Sequence, residues 1–484
     1  MAGEVGTRVR AFKWIAIVIA GLLCLAFGPQ ASASSPPTQG NGWTEAEVVA
    51  QNAGLPLVAA DPYGGIHLFY IQQESEGELA DGPAIMYRYY NGRVWEGPLD
   101  VLVSPDFSTV ATDAAYVAAD GTIHLLWHDQ QALFHSYAPV GDSLDANQWR
   151  TELISEGPLM LADWAADEEG DLHVLWRQDT FSLRYVSSRS GELRGQPTLV
   201  FSLPQGGDRA VGGAKIAIAE SGVLHATWFE TAAQDGGEWD HWSVYYGRSD
   251  DGGESWDVEE VIWPFYGDPD IVVDGDGVVH MFWGRRFGWA DGRWHRWSPD
   301  DGLTWSEPRL LFPGFEYASG LTGGYGFAVD SAGNLHVVNS FADRSGEATA
   351  YYVRWLGDRW SDPELVMKQH AHGTRLAITH GNRLHFFALA ARRDEIWHRV
   401  LHLDMPPVEP KPVPTYQPSN LGPGEDVGLT PQATPRPSPE PSVLPEELRA
   451  PSSSPTGAPL LLITGSALLT VIVLVAVTRL RRFS

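Results

Sequence analysis

One phrase recurs along the sequence: a turn rich in Asp and Gly, followed by an apolar stretch that carries a histidine and ends on large side chains. Its clearest copy is Asp274-Gly-Asp-Gly-Val-Val-His280-Met-Phe-Trp283. Seven copies place histidines at spacings of 57, 49, 52, 55, 56 and 49 residues, namely His67, His124, His173, His225, His280, His336 and His385. A period near fifty over most of a chain indicates repeated units that bury their faces against one another.

Each unit predicts four strands, a to d. Strand a is short and apolar, as in 55–60, and strand b carries the histidine with period-2 alternation. Strand c is rich in aromatic residues, as in 85–90, and strand d opens on a tryptophan such as Trp95. Four strands in each of seven repeats predict an all-β fold, a β-propeller.

The two ends of the repeat region complement each other. The last unit, Arg375 to Asp404, has strands a, b and c but no strand d, whereas Gly42 to Ala50 resembles a strand d with no unit before it. Pairing the two closes the ring and leaves no open sheet edge. We therefore predict a seven-bladed propeller over residues 42–404, closed by an N-terminal strand, with six blades as the alternative.

The N-terminus has the pattern of a secretory signal peptide. Basic residues precede an apolar run over 14–27, and Ala31-Ser-Ala33 supplies a small-residue cleavage site. Residues 1–33 are therefore the predicted leader. The one cysteine of the chain, Cys24, lies inside it, so the mature protein has no disulfide.

The C-terminal part predicts a membrane anchor. Residues 405–458 are rich in proline and form the predicted stalk, disordered and extended. Residues 459–478 carry no charge over 20 positions, long enough for a transmembrane helix, and the basic tail 479–484 follows at once. Positive residues mark the cytoplasmic side, which places the propeller outside the cell and the C-terminus in the cytoplasm. The membrane is thus one predicted partner.

The charge balance excludes other partners. The chain has 61 Asp and Glu against 33 Lys and Arg, a formal net charge of −28. Such a surface repels nucleic acid and anionic lipid unless a local basic pocket exists. We expect no nucleic-acid partner.

Two turns between strands c and d share the pattern S-x-D-x-G-x-[ST]-W. They resemble the Asp-box (BNR) repeats of the sialidase-like propeller superfamily, which implies a propeller fold and a structural role on the face opposite the pocket. In this pattern the Asp accepts backbone N–H groups, Gly permits positive φ and Trp packs between sheets. The matching residues are Ser249, Asp251, Gly253 and Trp256 in one turn, and Ser298, Asp300, Gly302 and Trp305 in the other.

The resemblance also implies a possible activity. Sialidases use an arginine triad, a Tyr/Glu nucleophile pair and an aspartic acid on a six-bladed propeller. The Phe-Arg-Ile-Pro motif that carries their first arginine is absent here. We assign no catalytic residue, and whether the chain is an enzyme stays open.

Propeller pockets open at the face made by the b–c and d–a connections. The predicted ligand-binding residues in these connections are Arg285, Arg286, Trp289, Glu230, Arg344 and Tyr325. The d–a connections add further polar and aromatic residues: Asp163, Trp164, Tyr266, Asp268, Asp270, Tyr317, His370, His372 and Arg375. Arginines and aromatic rings at one mouth suit an anionic or sugar ligand. The alternative is that these loop arginines and carboxylates pair with each other.

The sequence predicts no metal and no cofactor. The seven histidines occupy equivalent positions around a ring, so most of them cannot meet at one ion, which favours a repeated structural hydrogen bond between blades. The Asp274-Gly-Asp-Gly turn is too short for an EF-hand loop. No phosphate-binding loop, GxSxG motif or nucleophilic cysteine is present.

These observations leave two functions. The first is a membrane-tethered, cell-surface propeller that binds a glycan, another ligand or a protein. The alternative is a diverged exo-sialidase or another glycoside hydrolase. One fold hosts many functions, so the architecture does not decide between them.

Overall fold

The computed structural model describes residues 42–72, 83–103, 110–157, 162–190, 193, 195–207, 209–232, 242–265, 269–285, 292–312, 325–342, 348–368, 371–390 and 394–413. These ranges contain 29 strands and three short 3-10 helices, Val140–Asp142, Ala146–Gln148 and Ser188–Ser190. Within them no helix is long and apolar enough to cross a membrane. The predicted leader, the span 459–478 and the basic tail lie outside the described residues.

The strands form seven antiparallel sheets, the blades. Blade 1 contains β2 (Leu57–Ala60), β3 (Ile66–Ile71), β4 (Ala84–Tyr90) and β5 (Trp95–Val103). Blade 2 contains β6 (Ala111–Val117), β7 (Thr122–His128), β8 (Ala132–Pro139) and β9 (Arg150–Glu156). Blade 3 contains β10 (Ala162–Ala166), β11 (Leu172–Asp179), β12 (Ser182–Ser187) and β13 (Thr198–Ser202).

The remaining blades repeat this order. Blade 4 contains β14 (Arg209–Val211), β15 (Lys215–Ile218), β16 (Leu224–Ala232), β17 (Trp242–Ser249) and β18 (Asp257–Phe265). Blade 5 contains β19 (Asp270–Val273), β20 (Val279–Arg285), β21 (Gly292–Ser298) and β22 (Arg309–Leu310). Blade 6 contains β23 (Gly326–Val329), β24 (Leu335–Ala342), β25 (Ala348–Arg354) and β26 (Glu364–Met367). The seven-bladed prediction is confirmed, and the six-bladed alternative is wrong.

Blade 7 joins the two ends of the ring. Its order is β27 (Ala371–Thr379), β28 (Arg383–Ala390), β29 (Glu395–His402) and then the N-terminal β1 (Glu47–Ala50). Arg399, only 1% exposed, donates to the carbonyls of Trp43, Thr44 and Val366. The predicted closure by an N-terminal strand is confirmed.

In blades 1, 3, 5 and 6 the repeat histidine bonds both the Asp of its a–b turn and the third strand of its blade. In blade 1, His67 Nε2 lies 3.1 Å from Asp61 Oδ2, and Nδ1 lies 2.8 Å from the Tyr87 hydroxyl. Tyr87 then donates to Ser143 Oγ of blade 2 at 2.9 Å. Asp61 also accepts the amide of Gly65, so the turn itself is held. The histidines have the structural role that the sequence predicts, but their own hydrogen bonds lie within one blade rather than between blades, and in blade 1 it is Tyr87 that bonds the next blade.

The chain keeps this arrangement with local substitutions. The residue six positions before the histidine is Asp in blades 1, 3, 5 and 6, Thr379 in blade 7, and Ala in blades 2 and 4. Thr379 Oγ1 lies 2.9 Å from His385 Nε2 and replaces the carboxylate. In blade 4 an alanine stands there, and His225 Nε2 has no hydrogen-bond partner among the described atoms. Burial lowers the pKa of His225 to about 4, so it is neutral.

The two S-x-D-x-G-x-[ST]-W turns have nearly the same geometry. Asp251 Oδ1 accepts the amide of Ser255 at 3.0 Å, and Asp300 Oδ1 accepts the amide of Thr304 at 2.8 Å. In both, the first serine accepts a glycine amide four residues later, at 2.9 and 2.8 Å. Trp256 packs edge-on to Tyr185 of blade 3, with ring centroids 5.5 Å apart. These turns therefore connect each blade to the preceding one.

The first residues of the proline-rich segment lie on the propeller. The amide of Val408 donates to the carbonyl of His380 at 2.8 Å, and that of Lys411 to the carbonyl of Pro62 at 2.9 Å. Asn382 Nδ2 donates to the carbonyl of Met405 at 3.0 Å. Residues 405–413 thus bridge the a–b turns of blades 7 and 1, next to the closure. The rest of the predicted stalk lies outside the described residues.

Candidate functional site

The innermost strands place one position of every repeat at the same level around the axis. This position lies ten residues before the repeat histidine, and its backbone pairs with the residue two after that histidine. We call it the ring position. Its occupants are Leu57, Ala114, Asp163, Lys215, Asp270, Gly326 and Arg375. Blades 3, 4, 5 and 7 therefore contribute charged side chains, and blades 1, 2 and 6 do not.

The four charged ring residues interact with one another. Lys215 Nζ lies 3.8 Å from Asp163 Oδ1, and the other Asp163 oxygen accepts the amide of Ile216 at 3.1 Å. Asp270 and Arg375 also interact electrostatically with this pair. The side chains of Asp163 and Lys215 are 16% and 37% exposed. The cluster is deep in the protein, yet water reaches it.

Burial and mutual attraction set the protonation of the ring. Burial raises the pKa of Asp270 to about 7, although Lys215 opposes the shift. Burial likewise raises the pKa of Asp163. The neighbouring Asp163 carboxylate raises the pKa of Lys215, which keeps this amine charged, and burial lowers the pKa of Arg375. Near neutral pH Lys215 is therefore charged, and the Asp270 carboxyl exchanges its proton.

Blade 2 places a second acid beside the ring. Asp113, one residue before the ring position, lies 2.6 Å from His128 Nδ1 and accepts the amide of Ala162 at 3.3 Å. Burial lowers the pKa of His128, but the hydrogen bond and charge of Asp113 outweigh it, and the net pKa is raised. The formal charges of the four ring residues sum to zero, or to +1 when Asp270 is protonated, inside a chain of −28.

Two of the six predicted ligand-binding residues have described side chains. Glu230 is 2% exposed and accepts from Arg209 at 2.7 Å and from the Tyr245 hydroxyl at 2.6 Å. Tyr325 is 5% exposed and lies under the guanidinium of Arg293. Glu230 belongs to the crevice between blades 3 and 4, and Tyr325 to that between blades 5 and 6. The side chain of Arg285, together with Arg286, Trp289 and Arg344, lies outside the described residues.

Tyr245 and Glu230 form a Tyr/Glu pair away from the ring. Tyr245 stacks beside Trp228 of its own blade and lies 4.8 Å from Phe201 of blade 3, measured between ring centroids. Burial, and then the hydrogen bond to Glu230, raises the pKa of Tyr245. Among the described arginines, Arg375 is the one at the ring position. The described part of the chain thus brings no arginine triad together with this pair.

Lys215 is the one ring residue with a charge that is not predicted from the b–c and d–a connections. The b–c and d–a connections suggest Asp163, Asp270 and Arg375, but Lys215 stands at the start of an apolar strand. A comparison of the seven repeats at one fixed offset from the histidine finds all four charges at once. No group of three or more His, Cys, Asp or Glu with metal-ligand geometry occurs in the part of the chain that the structure describes.

Neither a family model nor a curated protein sequence matches this chain. Among solved structures, an ulvan lyase of polysaccharide lyase family PL25 is similar, with 14% identity and a TM-score of 0.51, covering 74% of this chain and 95% of that one. The same lyase bound to -[GlcA(1-4)Rha3S]- gives the same values. The polysaccharide lyase Uly1 has 13% identity and a TM-score of 0.49, with 78% and 94% covered. At 14% identity, the similarity to the ulvan lyase shows a shared fold.

Proposed function

We propose that this protein is a membrane-tethered, extracytoplasmic propeller of the sialidase-like type that binds an acidic glycan at the charged ring. The observation that carries the proposal is the placement of Asp163, Lys215, Asp270 and Arg375 at one level around the axis. Lys215 and Arg375 supply cations for a sugar carboxylate, and the two acids accept sugar hydroxyls. The fold-related ulvan lyase bound to a glucuronate-containing saccharide supports the choice of ligand class.

The direct test is calorimetric titration of the full-length protein, purified in detergent, with a glucuronate-containing tetrasaccharide and with its carboxyl-reduced counterpart. Lys215→Met and Arg375→Met should each weaken binding of the acidic sugar by about tenfold, the loss of one charge-assisted hydrogen bond. Arg309→Met is the matched control, because Arg309 lies on the outer strand of blade 5 and is exposed. Equal affinity for the neutral sugar, or wild-type affinity of both ring variants, would refute the proposal.

The tether is a separate part of the proposal and rests on sequence. An apolar leader before residue 34, an uncharged stretch over 459–478 and the arginines after it support a single-pass anchor with the propeller outside. Truncation after Ala458 should release the propeller into the medium, whereas the complete chain should remain with membranes. Retention of the truncated chain on membranes would contradict the anchor.

Glycan cleavage is the second candidate, and Asp270 favours it. A carboxyl with a pKa of about 7 beside Lys215 has the property of a general acid or base near neutral pH. A hydrolase would release reducing ends from an acidic polysaccharide, or the aglycone from a fluorogenic sialoside, and Asp270→Asn would abolish that release. Binding without release, at micromolar enzyme over hours, would favour the binding module.

A further inference from the structure

Arg293 occupies a position of the repeat that is apolar in the other blades. It lies on the third strand of blade 5, paired with Gly284, and is 5% exposed. The other six blades place a fully buried apolar residue at this position: Ile85, Leu133, Leu183, Val244, Ala350 and Ile396, each 0% exposed. A cation thus replaces a core residue in one blade.

The residue that faces Arg293 departs from the repeat as well. Arg293 Nε donates to Asn339 Oδ1 of blade 6 at 3.1 Å. Asn339 lies three residues after the repeat histidine, where blades 1 to 5 carry Tyr or Trp: Tyr70, Trp127, Trp176, Trp228 and Trp283. Two adjacent polar exceptions in an otherwise apolar pattern indicate a purpose other than packing. Tyr325 completes the surroundings, with its ring centroid 5.0 Å from the guanidinium carbon.

The charge of Arg293 is not compensated by the described residues. No carboxylate there lies within ion-pair distance, and its Nη2 is buried without a hydrogen-bond acceptor. Arg399 shows the contrast, because it is equally buried but donates to three backbone carbonyls. A buried cation without a counterion is costly, whereas one that receives an anion is stabilised.

We propose that Arg293 binds an oxyanion, the carboxylate or sulfate group of an acidic ligand, in the crevice between blades 5 and 6. The guanidinium offers parallel N–H groups that match a planar carboxylate or two sulfate oxygens. Arg293 and Tyr325 stand next to the b–c and d–a connections, respectively, at the face where propeller pockets open. This site is distinct from the ring and does not depend on its proposed function.

The test is thermal unfolding of the full-length protein in detergent, in sodium chloride, sodium sulfate and sodium glucuronate at equal ionic strength. The wild type should gain stability in sulfate or glucuronate relative to chloride. Arg293→Leu, which installs the residue of blades 2 and 3, should unfold at an equal or higher temperature in chloride and lose the anion-specific gain. Arg293→Lys keeps the charge without the fork and should retain part of the gain.

Two controls make the outcome decisive. Arg399→Leu should lower the unfolding temperature, because three backbone carbonyls lose their hydrogen-bond donor. It should keep the anion-specific gain. Lys215→Met should keep the gain in sulfate, which separates this site from the ring, where a sugar carboxylate is proposed to bind. If Arg293→Leu is destabilised in chloride as much as Arg399→Leu, Arg293 is a structural ion and the proposal fails. It also fails if Arg293→Leu keeps the gain in sulfate or if Lys215→Met loses that gain.

Discussion

Two positions of the same repeat, ten residues apart, differ in how much their residue varies among the seven blades. The histidine of the second strand is present in every blade and is held in place by hydrogen bonds to the turn, to the third strand or to both. The ring position on the facing strand carries six residue types in the seven blades, and four of its seven residues are charged. Repetition therefore marks the scaffold, and departure from repetition marks the candidate site. Arg293 and Asn339 obey the same rule at a second place.

The largest expected effect tests the scaffold. His336→Ala removes a ring bonded to Asp330 at 3.0 Å and to Tyr352 at 2.7 Å, and should lower the free energy of unfolding by roughly 4 kcal/mol. His225→Ala is the matched control, because His225 bonds Tyr246 but no carboxylate. It should cost roughly 2 kcal/mol. Chemical denaturation measures both losses, and equal losses would show that the Asp330 carboxylate does not stabilise the scaffold.

The next effect concerns the contact between blades at the turn 298–305. Gly302→Ala adds strain at φ +79° and places a Cβ against the hydroxyl of Tyr246 in blade 4, so we expect a loss of roughly 3 kcal/mol. Gly277→Ala shares the positive φ, +77°, but its Cβ meets open space, and should cost roughly 1 kcal/mol. Equal values would mean that the turn does not hold the neighbouring blade.

The smallest expected effect is the pH dependence of saccharide binding at the ring. The pKa of Asp270, about 7, lies above that of an unfolded aspartate, so its protonated form stabilises the fold at low pH and that contribution is lost as pH rises through 7. Ionisation also lowers the ring charge by one. Binding of the acidic tetrasaccharide should weaken up to about tenfold from pH 6 to 8, while Asp270→Asn should bind without this dependence. The carboxyl-reduced sugar is the control, with no pH dependence expected for either protein.

The sequence predicts the architecture well because the fold depends on repeated local patterns. The histidine period, the strand alternation and the orphan segment 42–50 are each visible without coordinates, and the seven blades and their closure follow from them. Docking of residues 405–413 on the turns of blades 7 and 1 is not visible, because proline-rich chain carries no pattern that specifies a docking surface.

The site is harder to predict because its residues come together only in the folded chain and do not recur at a fixed spacing in the sequence. Lys215 follows an unremarkable Gly-Gly-Ala and becomes part of the ring only when seven strands surround one axis. The sequence predicts Glu230 and Tyr325 at one mouth, yet Glu230 bonds Arg209 of blade 4 whereas Tyr325 contacts Arg293 of blade 5. The register of the strands decides which neighbouring blade a side chain faces, and the sequence of one repeat does not reveal that register.

A crystal structure of the protein with the glucuronate-containing tetrasaccharide would show directly whether the ring binds the sugar. We predict a sugar carboxylate within hydrogen-bond distance of Lys215 Nζ or the Arg375 guanidinium, with Asp163 or Asp270 accepting a hydrogen bond from a sugar hydroxyl. A saccharide bound on the turns that carry the repeat, with the ring unchanged, would contradict the assignment of function to the positions that do not repeat.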